Sequence, residues 1–310
     1  MKIWNDIIQE YKRGTNLTRV IYSNIAVFIS LHILRLLSWL FVSNSSSTVL
    51  NFIIANIQTY LNPYILITKP WTVFTYMFTH ISFIHLLTNM LMLYWMGRIF
   101  IDLLNGKRFV AIYLLGGVAG AIFAVIAYSI IPEFQSIIAS GNAIPMIGAS
   151  ASVMAIVTAI GTYVPEYEVH LMFFGKVKLK YIAIVLVIID ILMLPEGINA
   201  GGRLAHLGGA LFGFLWAQNI KKGVDISKWF MNIMDTVVTW FKPQKKMHVS
   251  YRKQKNKAKK SSSYVNYQNV SPSKPKYDQK QIDAILDKIA KSGYQSLSAK
   301  EKEILFSSRK

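Results

Sequence analysis

Long apolar runs alternate with short polar segments over the first 220 residues, and this alternation constrains the fold more than any other feature. A helix crosses a bilayer with about 20 predominantly apolar residues. The sequence predicts six such spans, at residues 20–42, 82–104, 109–131, 147–164, 179–195 and 204–220. The predicted fold class is therefore an all-α membrane protein built as a bundle of six transmembrane helices.

Lysine and arginine residues are concentrated in every second segment outside these spans. By contrast, residues 43–79, 132–146 and 196–203 carry at most one each. Because positively charged loops remain on the cytoplasmic side, both termini are predicted to be cytoplasmic. We expect a multi-pass protein of the cell membrane, specifically a bacterial cytoplasmic membrane. The chain has no cysteine, which excludes disulfides, thiol catalysis and Cys-ligated metal sites.

Polar side chains on three different spans are predicted to lie at the same outer depth of the membrane. His85 and Asn89 lie near the outer end of the second span, Ser150 opens the fourth, and His206 opens the sixth. Polar residues inside a membrane are costly and usually functional. A serine hydroxyl becomes a nucleophile when a neighbouring base takes its proton. We therefore predict a Ser–His dyad with Ser150 as nucleophile and His206 as base.

The remaining polar groups of this layer suit the stabilisation of an oxyanion. His85 and Asn89 are one helical turn apart and share a face, and the backbone N–H of Ser150 is the third predicted donor. Small residues would let the fourth and sixth spans approach closely: Gly148, Ala149, Ala151, Gly208 and Gly209. Taken singly, each residue also fits a purely structural role, and only the joint pattern indicates catalysis. Asp190 could orient a partner near the site, but a structural role is preferred.

Three motifs in this order resemble those of one protein family. Residues 80–89 carry two histidines and an asparagine, residues 148–151 read Gly-Ala-Ser-Ala, and residues 205–209 read Ala-His-Leu-Gly-Gly. The segment 67–220 thereby resembles the rhomboid family of intramembrane serine proteases, although Ala151 stands where the family usually has glycine. The resemblance implies a six-helix core, a Ser–His dyad and cleavage of transmembrane or juxtamembrane segments. It also implies oxyanion contacts at the positions of His85, Asn89 and Ser150.

The chain divides by composition into segments of different character. Residues 1–19 are predicted to be a cytoplasmic N-terminal segment, 20–220 the six-span rhomboid-like protease core, 221–278 a basic linker, and 279–310 a small helical hairpin. Residues 242–310 contain 18 Lys+Arg against 5 Asp+Glu. A basic segment next to a membrane favours anionic lipid headgroups, so nucleic acid is not expected as a partner. Ser298 with Glu301 fits a capping box for the second hairpin helix.

These features predict a serine-type endopeptidase that hydrolyses peptide bonds in or near transmembrane segments of membrane proteins. Its expected partners are transmembrane protein substrates and membrane lipids, and neither a cofactor nor a metal ion is expected. The alternative is a non-catalytic rhomboid-like protein that binds membrane clients. Members of that type usually lack the serine or the histidine, whereas Ser150 and His206 are both present.

Overall fold

The computed structural model describes residues 8, 9, 11, 13–41, 46–171, 175–197, 199–241 and 279–307. It separates into two units, Met1–Gln244 and Lys245–Lys310. The helices of the first unit are α1 (Asn16–Phe41), α2 (Ser46–Ile57), α3 (Pro63–Thr68), α4 (Thr72–Thr75), α5 (Phe83–Leu104), α6 (Gly106–Ile130), α7 (Pro132–Ala139), α8 (Ser150–Tyr163), α9 (Leu179–Leu192), α10 (Ala200–Lys221) and α11 (Lys228–Phe241). Short 3-10 helices lie at Tyr76–Phe78 and Leu194–Glu196.

Within the described residues, three helices are long and apolar enough to cross a membrane, namely α1, α5 and α6. The fourth predicted span corresponds to α8, a shorter apolar helix of 14 residues. The fifth and sixth correspond to α9 and α10, and the ends of all six differ from the predicted ones by up to four residues. The structure therefore supports a largely helical membrane protein, while membrane crossing by α8, α9 and α10 stays a prediction.

Glycines bring the backbones of α6, α8 and α10 into contact. A Cβ atom on Gly209 would overlap the carbonyl oxygen of Ala151, and one on Gly213 would overlap that of Ala155. Both pairs advance by four residues, so α8 and α10 run parallel at close range. A Cβ atom on Gly120 of α6 would lie 2.7 Å from the Cβ atom of Ala151 in α8 and 2.5 Å from the carbonyl oxygen of Ala205 in α10. Small residues permit this close helix packing, which sets the register between the fourth and sixth predicted spans.

The stretch 43–79 contains ordered elements that the sequence did not predict. The last carbonyl groups of α2 accept side-chain hydrogen bonds from Lys69 Nζ (2.7 Å), Trp71 Nε1 (2.8 Å) and Thr75 Oγ1 (2.7 Å). These bonds replace the intrahelical partners that a helix C-terminus lacks. Strand β1 (Thr59–Tyr60) then pairs antiparallel with β2 (Pro145–Met146). The loop before α5 is thereby joined to the segment that leads into α8.

At the other end of the bundle, Asp225 holds the turn between α10 and α11. Its carboxylate accepts hydrogen bonds from Ser227 Oγ (2.6 Å), Arg108 Nε (2.8 Å) and Trp216 Nε1 (3.2 Å). Burial alone would raise the pKa of Asp225, but the combined effect of these donors is larger. The pKa of Asp225 therefore lies below its usual value. This end also carries a two-stranded hairpin, β3 (Glu168–Leu171) with β4 (Gly175–Lys178).

The stretch 221–278, predicted to be a linker, begins with a helix. α11 occupies residues 228–241 and belongs to the first unit. Composition alone did not indicate this helix, because an amphipathic helix is recognised from its periodicity. The more polar part of that predicted linker, residues 242–278, lies outside the described residues.

The second unit contains α12 (Gln279–Ser292), a 3-10 turn at Tyr294–Ser296, and α13 (Ala299–Ser307). The predicted capping box is present: Ser298 N–H donates to Glu301 Oε2 (2.7 Å), and Glu301 N–H donates to Ser298 Oγ (3.3 Å). Lys288 Nζ joins the two helices through Glu301 Oε1 at 2.9 Å. Because Lys288 and Ser298 both donate to it, the pKa of Glu301 falls to about 2.

Candidate active site

Ser150 is the first residue of α8, and the two residues before it are held by hydrogen bonds. Gly148 N–H donates to the carbonyl oxygen of Tyr76 (2.9 Å), and Ala149 N–H donates to His80 Nε2 (3.2 Å). An imidazole nitrogen that accepts is unprotonated, so neutral His80 carries its proton on Nδ1. His80 is the first of the two histidines in the motif at residues 80–89. Its role as a hydrogen-bond acceptor for the start of α8 was not predicted.

Gly148 is required at its position for two reasons. Its φ of +116° lies in a region that side chains disfavour. A Cβ atom there would also lie 2.6 Å from Cε1 of His85. The glycine therefore lets the His85 ring approach the backbone just before Ser150.

Ser150 and His85 line one cavity of about 260 Å³. Gly202 and Ala205, in the first turns of α10, form another part of the cavity wall. Asn199, just before that helix, also lines the cavity. Met146, from the paired strand β2, also contributes. The structure thus brings two of the predicted site residues to a single cavity, at the ends of α5, α8 and α10 that were predicted to lie together.

His206 contacts the carboxylate of Asp190, a residue whose role near the site the sequence left open. Its Nδ1 lies 3.0 Å from Oδ2 and 3.2 Å from Oδ1 of Asp190. Asp190 is only 7% exposed, and Arg203 Nη1 lies 3.5 Å from its Oδ1. An ionised carboxylate can only accept, so this contact favours a proton on Nδ1 and leaves Nε2 unprotonated. The sequence left open whether Asp190 orients a partner near the site or has only a structural role, and this contact favours the first alternative.

Ser150 and His206 lie at similar heights in the bundle. Gly209 contacts Ala151 across the parallel helices; Ser150 is one residue before Ala151, and His206 is three before Gly209. At a rise of 1.5 Å per residue, the two Cα atoms differ in height by about 3 Å. Between these two described residues the structure has no hydrogen bond from the serine hydroxyl to the imidazole. Catalytic hydrogen bonds are often long without substrate and shorten in the complex.

The predicted oxyanion donors are not all brought to the cavity. His85 lines it, and the N–H of Ser150, at the first turn of α8, has no intrahelical acceptor. Asn89 is 6% exposed, and its Nδ2 donates to the carbonyl oxygen of His85 at 2.7 Å. The oxyanion role of Asn89 stays a prediction: the bond to His85 uses one of the two N–H groups of the amide, and an oxyanion would be bound by the other.

Comparison with known proteins adds an independent observation to this geometry. A family model described as the Rhomboid domain matches residues 68–222, half of the chain. The chain belongs to the rhomboid family. A second model, for a family of unknown function (DUF6576), matches residues 273–307, which include α12 and α13.

Rhomboid relatives from animals and plants are similar to this chain. The presenilin-associated rhomboid-like protein A, mitochondrial, of Danio rerio is 34% identical over 44% of this chain and 34% of its own length. The RHOMBOID-like protein 12, mitochondrial, of Arabidopsis thaliana is 30% identical over 49% of this chain and 47% of its own length. The presenilin-associated rhomboid-like protein, mitochondrial, of Rattus norvegicus is 28% identical over 69% of this chain and 50% of its own length. The chain thus spans a third to a half of these relatives.

The prediction of a bacterial cell membrane is wrong by this comparison. The rhomboid relatives described above are all named as mitochondrial proteins. The prediction rested on the distribution of Lys and Arg and on the absence of cysteine. Charge distribution orients a chain relative to a membrane, but it does not identify which membrane that is.

Ala151 stands where the rhomboid motif usually has glycine, and its surroundings explain why a methyl group fits. The Cβ atom of Ala151 faces Gly120 of α6, which has no side chain to oppose it. The carbonyl side of Ala151 contacts Gly209. The additional methyl group therefore fills space between helices and leaves Ser150 at the cavity.

Proposed function

We propose that this chain is an intramembrane serine protease that hydrolyses peptide bonds in or near transmembrane segments of membrane proteins. Ser150 is its nucleophile, His206 its general base, and Asp190 the residue that positions the base. The observation that carries this proposal is the contact of His206 Nδ1 with the Asp190 carboxylate, beside a cavity that Ser150 lines. Membership of the rhomboid family supports the same reaction class.

The proposed reaction begins when Ser150 Oγ attacks the scissile carbonyl carbon and His206 Nε2 takes the hydroxyl proton. The N–H of Ser150 and the His85 ring donate to the resulting oxyanion. His206 then returns the proton to the leaving amine, and the carbonyl carbon remains bound to Ser150 as an ester. Water, activated by the same histidine, hydrolyses this ester and restores the serine.

Asp190 is suited to hold the His206 ring throughout this sequence. Its oxygens face both the imidazole and Arg203, so the buried carboxylate has partners on two sides. A buried charge that is paired and hydrogen-bonded avoids most of the cost of its desolvation. The carboxylate would keep the proton on Nδ1 and stabilise the imidazolium that forms when Nε2 is protonated.

The proposed partners are transmembrane protein substrates and the surrounding lipids, and we propose that α8, α9 and α10 cross the membrane with α1, α5 and α6. The basic stretch after residue 242 is proposed to contact anionic lipid headgroups, because clustered lysines next to a membrane are attracted to them. The small helices α12 and α13 have no proposed role in catalysis.

Labelling with a fluorophosphonate probe tests the proposed activity directly. The folded protein is treated in lipid vesicles, and the adduct is located by mass spectrometry. We expect one adduct, on Ser150, because the probe reacts with an activated serine and mimics the tetrahedral intermediate. Ser152 serves as an internal control, since it is fully buried and its hydroxyl contacts Met77 Sδ at 3.7 Å. A folded protein that acquires no adduct would favour a non-catalytic client-binding rhomboid-like protein.

Replacing Asp190 by asparagine tests the positioning role. We expect Asp190→Asn to lower kcat for a transmembrane reporter by roughly 10²- to 10⁴-fold, because an amide no longer enforces the required tautomer of His206. KM should change little, since the carboxylate does not contact substrate. Glu166→Gln is the control: Glu166 follows α8 at the far end from Ser150 and pairs with Lys178 and Lys180. A kcat for Asp190→Asn equal to that of the control would contradict the role.

A further inference from the structure

The helix α11 has three faces of different character. Polar side chains cover one face: Lys228, Asn232, Asp235, Thr236 and Thr239. A second face consists of Phe230, Met231 and Met234, which are partly buried, and of Val238 in its last turn, which is 47% exposed. The third is apolar yet exposed, with Trp229 57%, Ile233 51%, Val237 40% and Trp240 76% exposed. At 3.6 residues per turn, this exposed apolar face covers an arc of roughly 80°, on the opposite side of the helix from Met231.

Two ion pairs locate α11 at the end of the bundle. Asp225, just before the helix, binds Arg108 at 2.8 Å, and Asp235, in the middle of the helix, binds Lys107 at 2.8 Å. Lys107 and Arg108 are neighbours in the first turn of α6, a helix suited to cross the membrane. The helical stretch from Lys228 to Asp235 advances about 10 Å. A helix that continued along the α6 axis would carry Asp235 away from Lys107, so α11 runs across this end of the bundle.

We infer that α11 is an interfacial helix, which lies in the membrane surface with Trp229, Ile233, Val237 and Trp240 inserted among the lipids. A helix at the boundary of protein, water and lipid needs one face for each of them. In α11 the partly buried face meets the protein, the polar face meets water, and the exposed apolar face meets lipid. The two tryptophans lie in the first and last turns of this apolar face, and tryptophan is favoured at membrane interfaces. Amphipathic helices of this composition insert their apolar face to the boundary between headgroups and acyl chains.

Charge distinguishes lipid from a second copy of the chain as the occupant of this face. Lys221, Lys222 and Lys228, all exposed, lie just before α11 or at its start. Phospholipid headgroups supply phosphate partners for these lysines, whereas a second copy of the chain carries the same positive charges and supplies none there. The inference does not depend on catalysis, because it concerns the end of α6 that carries Lys107 and not the cavity at Ser150.

Site-directed spin labelling tests this inference on the full chain, which contains no cysteine of its own. Single variants Ile233→Cys and Val237→Cys place a nitroxide on the exposed apolar face. Their matched neighbours Asn232→Cys and Thr236→Cys place it on the polar face. Each protein is reconstituted into phosphatidylcholine–phosphatidylglycerol vesicles, and collisions with oxygen and with a water-soluble nickel chelate are measured. Thermal unfolding of each labelled variant verifies that it is folded.

The expected result is a several-fold higher ratio of oxygen to nickel collisions at residues 233 and 237 than at 232 and 236, because oxygen concentrates in the acyl region. Equal nickel access on both faces would place α11 in water and overturn the inference. Exclusion of both reagents from residues 233 and 237, together with spin–spin broadening, would show that another copy of the chain covers this face. That outcome would also overturn it.

Discussion

Ser150→Ala is expected to reduce cleavage of a tagged transmembrane reporter to background, a loss on the order of 10⁵- to 10⁶-fold in kcat. The substitution removes the only atom that can form the ester intermediate, while the helix start remains: Gly148 and Ala149 are bonded through their backbones to Tyr76 and His80. The protein should therefore stay folded. The measurement is the rate of appearance of the two reporter fragments in vesicles, with probe labelling as a second readout.

Ser152→Ala is the matched control for this loss. It makes the same change two residues further along α8, where the hydroxyl is fully buried and contacts a methionine sulfur. Cleavage by this variant should stay close to that of the wild type. If Ser150→Ala cleaved the reporter as fast as Ser152→Ala, the nucleophile would be another group and the proposed function would be wrong.

His206→Ala is expected to reduce kcat almost as strongly as Ser150→Ala. Without a base the serine hydroxyl keeps its proton, and in serine proteases the two residues act as a unit. The double variant should consequently be no slower than either single one. Reporter cleavage and the rate of fluorophosphonate labelling should fall together, because both require the activated hydroxyl.

His170→Ala provides the comparison for the histidine, since His170 lies on β3, beyond the far end of α8 from Ser150. This variant should retain wild-type labelling. In His206→Ala the buried Asp190 carboxylate loses its imidazole partner and keeps Arg203, 3.5 Å away, so the thermal unfolding of this variant needs to be measured alongside. A folded His206→Ala protein that is labelled at the wild-type rate would exclude this imidazole as the base.

Much of the helical architecture could be predicted from the sequence, because hydropathy and helix length are local properties. The three long spans α1, α5 and α6 start within four residues of their predicted positions. The convergence of Ser150 and His85 was also predictable, since both lie at the same end of their helices. Elements outside the predicted spans were missed: α2 lies in the stretch 43–79 between the first two spans, and α11 follows the last span in a basic segment.

The contacts of the site with Asp190 and Asn89 could not be predicted in this way. Asp190 is 16 residues from His206 and on another helix, so no spacing rule relates the two side chains. The signal available was only that a carboxylate inside a span needs a partner. Asn89 differs from Asp190, because its place in the site was predicted from the motif. Its hydrogen bond to the His85 carbonyl was not predicted.

The sequence by itself determined the order of the apolar helices, the identities of the nucleophile and base candidates, and the glycines available for close packing. Only the tertiary structure decided which residues meet across helices. Periodicity relates residues within one helix, whereas contacts between helices depend on their relative height and rotation. Here both are set by backbone contacts such as Ala151 with Gly209, and these contacts exist only once α8 and α10 have packed together.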